Sequence, residues 1–294
     1  MSDLAFSCLF DAFFLSMCGN SPFALIVVAA FAIVGNNEMD FLRNKAVQMY
    51  GGLYSGFGGY ALAFLAFMFF VVPFVVQGLL YIAVESLPVS SSFCKKYKLQ
   101  KHTNVPRAEM LKVLVESVVR LFVFGLPFVM CIMSVTVVSK GKLGVVLQGP
   151  IPSHFELLRL LLVHIAVLEI LFYAVHRILH TPRLYRSIHK IHHEYTAPFA
   201  IASLHCHPLE LVASNLFPVT AGFLMFRPHI FFVFMWITGV ALGTQTHHSG
   251  IRFPWIAEID NQPDYHDMHH RVFTCNYGML GFMDYLFATQ HKKT

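Results

Sequence analysis

The apolar positions of this chain come in long uninterrupted blocks, not in the short alternations of a soluble domain. Gly59–Ala83 carries no charge and is longer than the roughly 20 residues a membrane span needs, so it is predicted to be a transmembrane helix. Val118–Val138 is a second such block, with a kink expected at Pro127, because proline removes a helix hydrogen bond. Leu157–Ala174 is a third, followed by two shorter runs, Leu209–Phe226 and Ile230–Thr244, separated by Arg227-Pro228-His229. These two are expected to form a hairpin that is tilted or only partly crosses. Leu4–Val34 is apolar but broken by Asp11 and Gly19-Asn20-Ser21-Pro22. It is expected to be an interfacial or broken span, without a clear signal-peptide cleavage site. Asn36–Phe57 reads as a polar connector, and beyond Thr246 the chain is polar.

Composition sharpens this. Of 294 residues, 56% are hydrophobic and 13% charged, against about 25% charged in a soluble domain. With 30 Phe and a mean hydropathy of +0.60, the chain lacks the polar surface to cover a soluble monomer. A cytosolic enzyme, a disordered chain and a nucleic-acid binder are excluded; an all-α, polytopic membrane helical bundle is predicted. The net charge of +5 reflects basic loops. The most basic, Cys94–Lys112, is placed in the cytoplasm by the positive-inside rule. Counting spans from it puts Arg177–Lys190 and the segment Thr246–Thr294 on the same face. The six cysteines (Cys8, Cys18, Cys94, Cys131, Cys206 and Cys275) are scattered, contain no C-x-x-C, and read as free thiols.

Histidine is the outlier. There are 17, against 16 Asp plus Glu, and thirteen lie between His176 and His270. They form three tight groups: His176/His180, His189/His192/His193 and His266/His269/His270. At helical spacing i, i+3 and i+4 share one face, so each group aims its imidazoles together. Imidazole suits iron, zinc, copper and nickel, and eight such ligands are too many for one ion, so two adjacent metals are expected. A histidine-rich di-metal cap on the cytoplasmic face of the bundle follows. His102, His154, His164, His229 and His291 read as packing or tail residues. Spacing alone does not choose between His205 and His207, or between His247 and His248.

With Phe172–His180, Ile188–Tyr195, Ala197-Pro198-Phe199, His207-Pro208-Leu209-Glu210, His248-Ser249-Gly250, Phe253-Pro254-Trp255, Tyr265–His270, Asn276-Tyr277-Gly278 and Asp284-Tyr285 in this order, the chain resembles the fatty acid hydroxylase superfamily, and within it the C4-methyl sterol oxidase branch. The N-terminal half matches only in span pattern and in the basic loop around Lys96–Gln100. The resemblance implies an N-terminal transmembrane anchor region, 1–154, and a catalytic region, 155–294, forming one integrated domain. It implies a ligand set of His176, His180, His189, His192, His193, His207, His248, His266, His269 and His270, five per metal if shared evenly, with His205 and His247 left in supporting or incidental places. Glu169, Glu194, Asp264 and Asp267 are candidate carboxylates that orient these ligands.

The resemblance further implies a non-haem di-iron oxygenase of the endoplasmic reticulum membrane, holding two iron ions. It would oxidise an apolar lipid, a sterol C4 methyl group, with O₂ and electrons from NAD(P)H through a separate cytochrome b5 or reductase. The chain carries neither a nucleotide-binding glycine fingerprint nor the haem motif of a fused cytochrome b5. Phe231–Trp236 and Phe253–Trp255 are candidate pocket walls, with core packing the alternative. The rival readings are a fatty-acyl or sphingolipid hydroxylase or desaturase, a metal transporter, and a catalytically silent metal-binding membrane protein. The tail His291-Lys292-Lys293-Thr294 is only a partial dilysine retrieval signal.

Overall fold

The computed structural model describes residues 36–87, 91–252 and 262–292. The expectations for Leu4–Val34, Cys8, Cys18 and Phe253–Trp255 lie outside the described residues. What is described is helical, with isolated β-bridges and no strand. Helix α1 covers Asn36–Glu85, α2 Ser92–Tyr97, α3 Arg107–Val138, α4 His154–Leu179, α5 Pro182–Ser187, α6 Pro208–Phe226, α7 Ile230–His248, α8 Asp264–Val272 and α9 Phe282–Leu286. Five stretches are long and apolar enough to cross a membrane: Gly58–Glu85 within α1, and α3, α4, α6 and α7. The segment expected to be a polar connector is helical, and it joins the first span through a break at Gly58, whose φ of 71° favours glycine. The two short runs belong to helices of 19 residues, each about 28 Å long and apolar enough to cross a membrane.

Helices α1 and α7 cross against each other through hydrogen bonds that the sequence demands. Pro73 in α1 has no N–H, so the carbonyl of Phe69 loses its helical donor, and Thr238 Oγ1 of α7 donates to it at 3.0 Å. Gln245 Nε2 donates to the Phe74 carbonyl at 2.7 Å, and Gln77 Nε2 returns a bond to the Leu242 carbonyl at 2.8 Å. These contacts set the register of the two helices inside the apolar interior.

The kink expected at Pro127 takes the form of a π-helical segment, Leu121–Gly125, just before that proline. A second, Leu211–Leu216, precedes Pro218 in α6. In each case the wider turn accommodates the ring that would collide with the carbonyl four residues back. The two π segments pack against each other.

The ends of the bundle are distinct. At one end the basic connector pairs with the chain that follows α7: Leu99 N–H donates to the Gly250 carbonyl at 2.9 Å and Arg252 N–H to the Tyr97 carbonyl at 2.8 Å. At the other, Val146 meets His229. His229 caps α7 by accepting the Phe231 N–H, and His164 is buried among Phe223, Phe226, Phe232 and Trp236. Both histidines are therefore packing and capping residues, and the aromatic rings of Phe232 and Trp236 serve the core. Cys94, Cys131, Cys206 and Cys275 are free thiols, as expected.

Candidate metal centre

Nine of the ten implied ligands converge at the end of the bundle that carries the basic connector, and they form two nests. His176, His180, His189, His193 and His269 form one; His192, His248, His266 and His270 form the other. The H-x-x-H-H spacing explains the division. In His189/His192/His193 the i, i+4 pair enters the first nest and His192 enters the second. In His266/His269/His270 the i, i+4 pair enters the second nest and His269 the first. Each group thus straddles both nests. The expected α-helical form holds for 266–270 within α8, whereas 189–194 is a 3₁₀ turn.

Local backbone turns support two of these ligands, His248 and His176. At the end of α7, Ser249 Oγ donates to the Thr246 carbonyl at 2.8 Å and accepts the Ile251 N–H at 3.2 Å, and Gly250 turns the chain at φ +60°. This is the structural content of the His-Ser-Gly run. Asn276, at φ 57°, turns the segment after α8 so that the Tyr277 carbonyl faces His176.

The donor set carries its own test of whether metal fits. The Nδ1 atoms of His176, His269, His248 and His270 face the carbonyls of Tyr277 (2.7 Å), Cys275 (2.6 Å), Thr244 (2.8 Å) and Tyr195 (3.2 Å). A carbonyl can only accept, so each Nδ1 carries the hydrogen, and a neutral ring then presents a bare Nε2 lone pair. His189 Nδ1 donates likewise to Glu210 Oε1 at 2.8 Å. These lone pairs face one another. His176 and His189 Nε2 lie 3.2 Å apart, His189 and His180 2.9 Å, and His180 and His269 3.1 Å. In the second nest His248 and His266 lie 2.9 Å apart, and His266 and His270 3.1 Å. Protonation is not the remedy. Burial, reinforced by neighbouring rings, holds His189, His193, His266, His269 and His270 well below the ordinary imidazole value, and takes His180 down to about 2. A cation at the centre of each nest resolves the repulsion. A metal–nitrogen bond of about 2.1 Å places ligands at right angles about 3.0 Å apart, which matches these separations.

His207 stands outside both nests. It precedes Pro208 as the cap of α6, and its Nδ1 accepts the Leu209 N–H at 3.1 Å. His205 pairs with Glu194 at 2.8 Å. None of the four carboxylates singled out from sequence accepts from a nest histidine among the described residues. Glu194 is taken by His205, Asp264 pairs with Arg252, and Asp267 accepts from Gln100 Nε2. Glu169 is buried and receives the N–H groups of Met279, Leu280 and Met283. It anchors the segment that presents the Tyr277 carbonyl. The carboxylate that does reach a nest is Glu210, buried in the His-Pro-Leu-Glu run and partner to His189. Asp284 was also passed over; it holds the Tyr277 and Gly278 N–H groups. Both carboxylates belong to motifs visible in the sequence, but nothing local marks them as partners.

A cavity of about 150 Å³ opens onto both nests, reaching His176 and His189 of the first and His192, His248 and His266 of the second. Its walls are mostly apolar, with Phe67, Phe70, Leu168, Phe172, Val233 and Ile237 among them. It extends along α7: His248 and Ile230, at the two ends of that helix, both line it.

Spanning helices that carry two histidine nests at the mouth of an apolar cavity define a membrane metalloprotein. Comparison with known proteins narrows the class. Residues 161–289 match the fatty acid hydroxylase family. Fatty acid hydroxylase ahd1 of Mycosarcoma maydis is 43% identical over 141 residues, 47% of this chain and 35% of that protein, so this chain spans about a third of that relative's length. Methylsterol monooxygenase 2-2 of Arabidopsis thaliana is 29% identical over 224 residues, 74% of this chain and 80% of that protein. Very-long-chain aldehyde decarbonylase GL1-8 of Oryza sativa subsp. indica is 31% identical over 235 residues, 75% of this chain and 82% of that protein. No solved structure matches. The chain belongs to the fatty acid hydroxylase superfamily.

Proposed function

We propose that this protein is a membrane di-iron oxygenase that oxidises an apolar lipid, a C4 methyl group of a sterol, with O₂ and electrons from NAD(P)H delivered by cytochrome b5 or a reductase. The observation that carries this reading is the pair of histidine nests opening on one apolar cavity. His176, His180, His189, His193 and His269 would hold one iron, and His192, His248, His266 and His270 the other. Five histidines in the first nest would suit an ion that takes more than four ligands, which favours iron over four-coordinate zinc. Bound iron supplies the O₂ chemistry that attacks an unactivated C–H bond, which side chains cannot do alone.

The chain's own residues do the rest. The Nδ1 hydrogen bonds orient the rings of His176, His189, His248, His269 and His270, and Glu210 strengthens His189 as a ligand. The apolar walls hold the lipid against the nests and exclude water from the reacting carbon. The connector with Lys95, Lys96, Lys98 and Lys101 borders the nest end and offers a cationic dock for an acidic electron donor. In this reading 1–154 is the anchor region and 155–294 the catalytic region of one integrated domain. The nests face the cytoplasm of the endoplasmic reticulum membrane. Ligands at helix ends, instead of at the bilayer midplane, speak against transport.

The higher identity to fatty acid hydroxylase ahd1 and the length of the cavity favour a second reading, oxidation of a fatty-acyl or sphingolipid chain. One experiment separates the two. Wild type and a His192→Ala/His269→Ala variant are expressed in cells lacking C4-methyl sterol oxidase, and sterols and acyl lipids are quantified together. Clearance of 4-methyl sterols by wild type alone is the expected result. A change confined to hydroxylated or unsaturated acyl lipids moves the assignment to the second reading. No change at matched expression and metal content removes both.

A further inference from the structure

One wall of the cavity is not apolar. Ser203, Glu210, Ser214 and Asn215 all line it, Ser203 from the turn 200–204, Ser214 and Asn215 from the turn 211–216, and Glu210 just before the latter. The π-helical turn brings three of them to one side, because in that geometry both the fourth and the fifth residue fall beneath the first, here Ser214 and Asn215 beneath Glu210. Among the described residues, Ser203 Oγ and Glu210 Oε2 are buried without a hydrogen-bond partner. Ser203, Glu210 and Ser214 are each at most 3% exposed. Unpartnered polar groups in an apolar interior at membrane depth are costly, and their concentration on one wall marks a ligand contact.

The donor and acceptor roles select the ligand. Glu210 spends Oε1 on His189, which leaves Oε2 to accept. The serine hydroxyls and the Asn215 amide can donate as well as accept. A lipid hydroxyl answers both needs, donating to the carboxylate while accepting from a serine or the amide. An aldehyde or ester oxygen can only accept, so it cannot donate to the carboxylate and accept from the strip at once. Resting on the reading of the cavity as the lipid site, we propose that this strip recognises a hydroxyl on an otherwise apolar lipid. The strip begins at the partner of His189 and extends about one helical turn from it, so the recognised hydroxyl lies on the same end of the lipid as the carbon to be oxidised.

The test is equilibrium binding to the metal-loaded full chain in lipid nanodiscs, with two matched pairs of radiolabelled probes. These are a 4,4-dimethyl sterol with its 3-O-methyl ether, and hexadecanol with hexadecyl methyl ether. At least one alcohol is expected to bind about tenfold more tightly than its ether, the worth of one or two hydrogen bonds. In the Ser214→Ala/Asn215→Leu variant, checked for metal content and thermal midpoint, that preference falls to within about twofold while ether affinity is kept. Equal binding of alcohol and ether by wild type overturns the proposal without recourse to any variant, as does a preference that survives in a folded variant. The two readings fail separately. A preference seen with hexadecanol alone keeps the strip and removes the sterol assignment. Oxidation of the 4-methyl sterol without any alcohol preference keeps the assignment and removes the strip.

Discussion

His189 donates its Nδ1 hydrogen to Glu210 across 2.8 Å, and both side chains are buried. The bond fixes the ring so that Nε2 faces His176, His180 and His193. Partners of this kind typically contribute 10- to 100-fold in metal affinity. Glu210→Gln keeps an oxygen acceptor and is expected to weaken metal binding about tenfold, with Glu210→Leu weaker still. Chelator competition on purified protein measures this. Unchanged affinity in both variants would remove the orienting role of Glu210.

His207 and His269 provide a contrast. His269 has no exposed surface and contributes Nε2 to the first nest, whereas His207 caps α6. His269→Ala is expected to lose most of the metal of the first nest. His207→Ala is expected to retain full metal content and to lose about 1 kcal/mol of stability with its cap. Metal per chain, by elemental analysis, decides the matter; loss of metal in His207→Ala would return it to the ligand set.

Gly278 lets two carboxylates approach the backbone. A Cβ there would stand 2.6 Å from Glu169 Oε1 and 2.9 Å from Asp284 Oδ2. Gly278→Ala therefore forces apart the contacts that anchor residues 277–283 to α4, at an expected cost of about 1–3 kcal/mol. Glu169→Leu leaves three N–H groups without their acceptor and is expected to cost at least as much. Both variants should show a lowered thermal midpoint and faster proteolysis of the C-terminal segment. An unchanged midpoint would show that the segment is held by other means.

The histidines also set a pH dependence. Folded His180 and His193 lie below the ordinary imidazole value of 6.5, so in acid the unfolded chain binds more protons than the folded one. Their contribution to stability is complete above pH about 6.5 and is lost progressively as pH falls from there toward about 2, the folded value of His180. Metal-free protein is expected to show a falling thermal midpoint below pH about 6.5. Metal-loaded protein should hold its midpoint to lower pH and then release iron, because protons compete for the same Nε2 atoms. A midpoint insensitive to pH between 4 and 7 in the metal-free protein would contradict this.

Docking of an electron donor on the basic connector should be sensitive to salt. Raising ionic strength from about 0.01 M to about 0.15 M shortens the screening length from roughly 30 Å to roughly 8 Å. Reduction by cytochrome b5, followed by stopped flow, is expected to slow several-fold over that range. It should slow similarly in a Lys95→Gln/Lys96→Gln variant at low salt. Salt-independent reduction would rule out charged docking.

The sequence by itself determined the class of the protein. Uncharged apolar blocks must span a membrane, and histidines at i, i+3 and i+4 must share a local neighbourhood, because helical geometry fixes positions within a turn or two. That was enough to recognise the bundle, and eight of the nine nest residues follow from spacing alone. The ninth, His248, needed the family resemblance, since spacing could not separate it from His247. What only the tertiary structure decided involves partners far apart in the chain. His180 meets His269 across 89 positions and Glu169 meets Leu280 across 111, and no local period encodes such pairs. The division of each H-x-x-H-H group between two nests, the choice of Glu210 over Glu194, Asp264 and Asp267, and the exclusion of His207 all depend on how helix ends pack. Asp264 and Glu194 looked equally suitable because they adjoin ligands, but Arg252 and His205 claim them once the chain is folded. The cavity is likewise a property of packing: its apolar walls draw on α1, α3, α4, α6 and α7, and each apolar wall residue is, in its own helix, only one more apolar position.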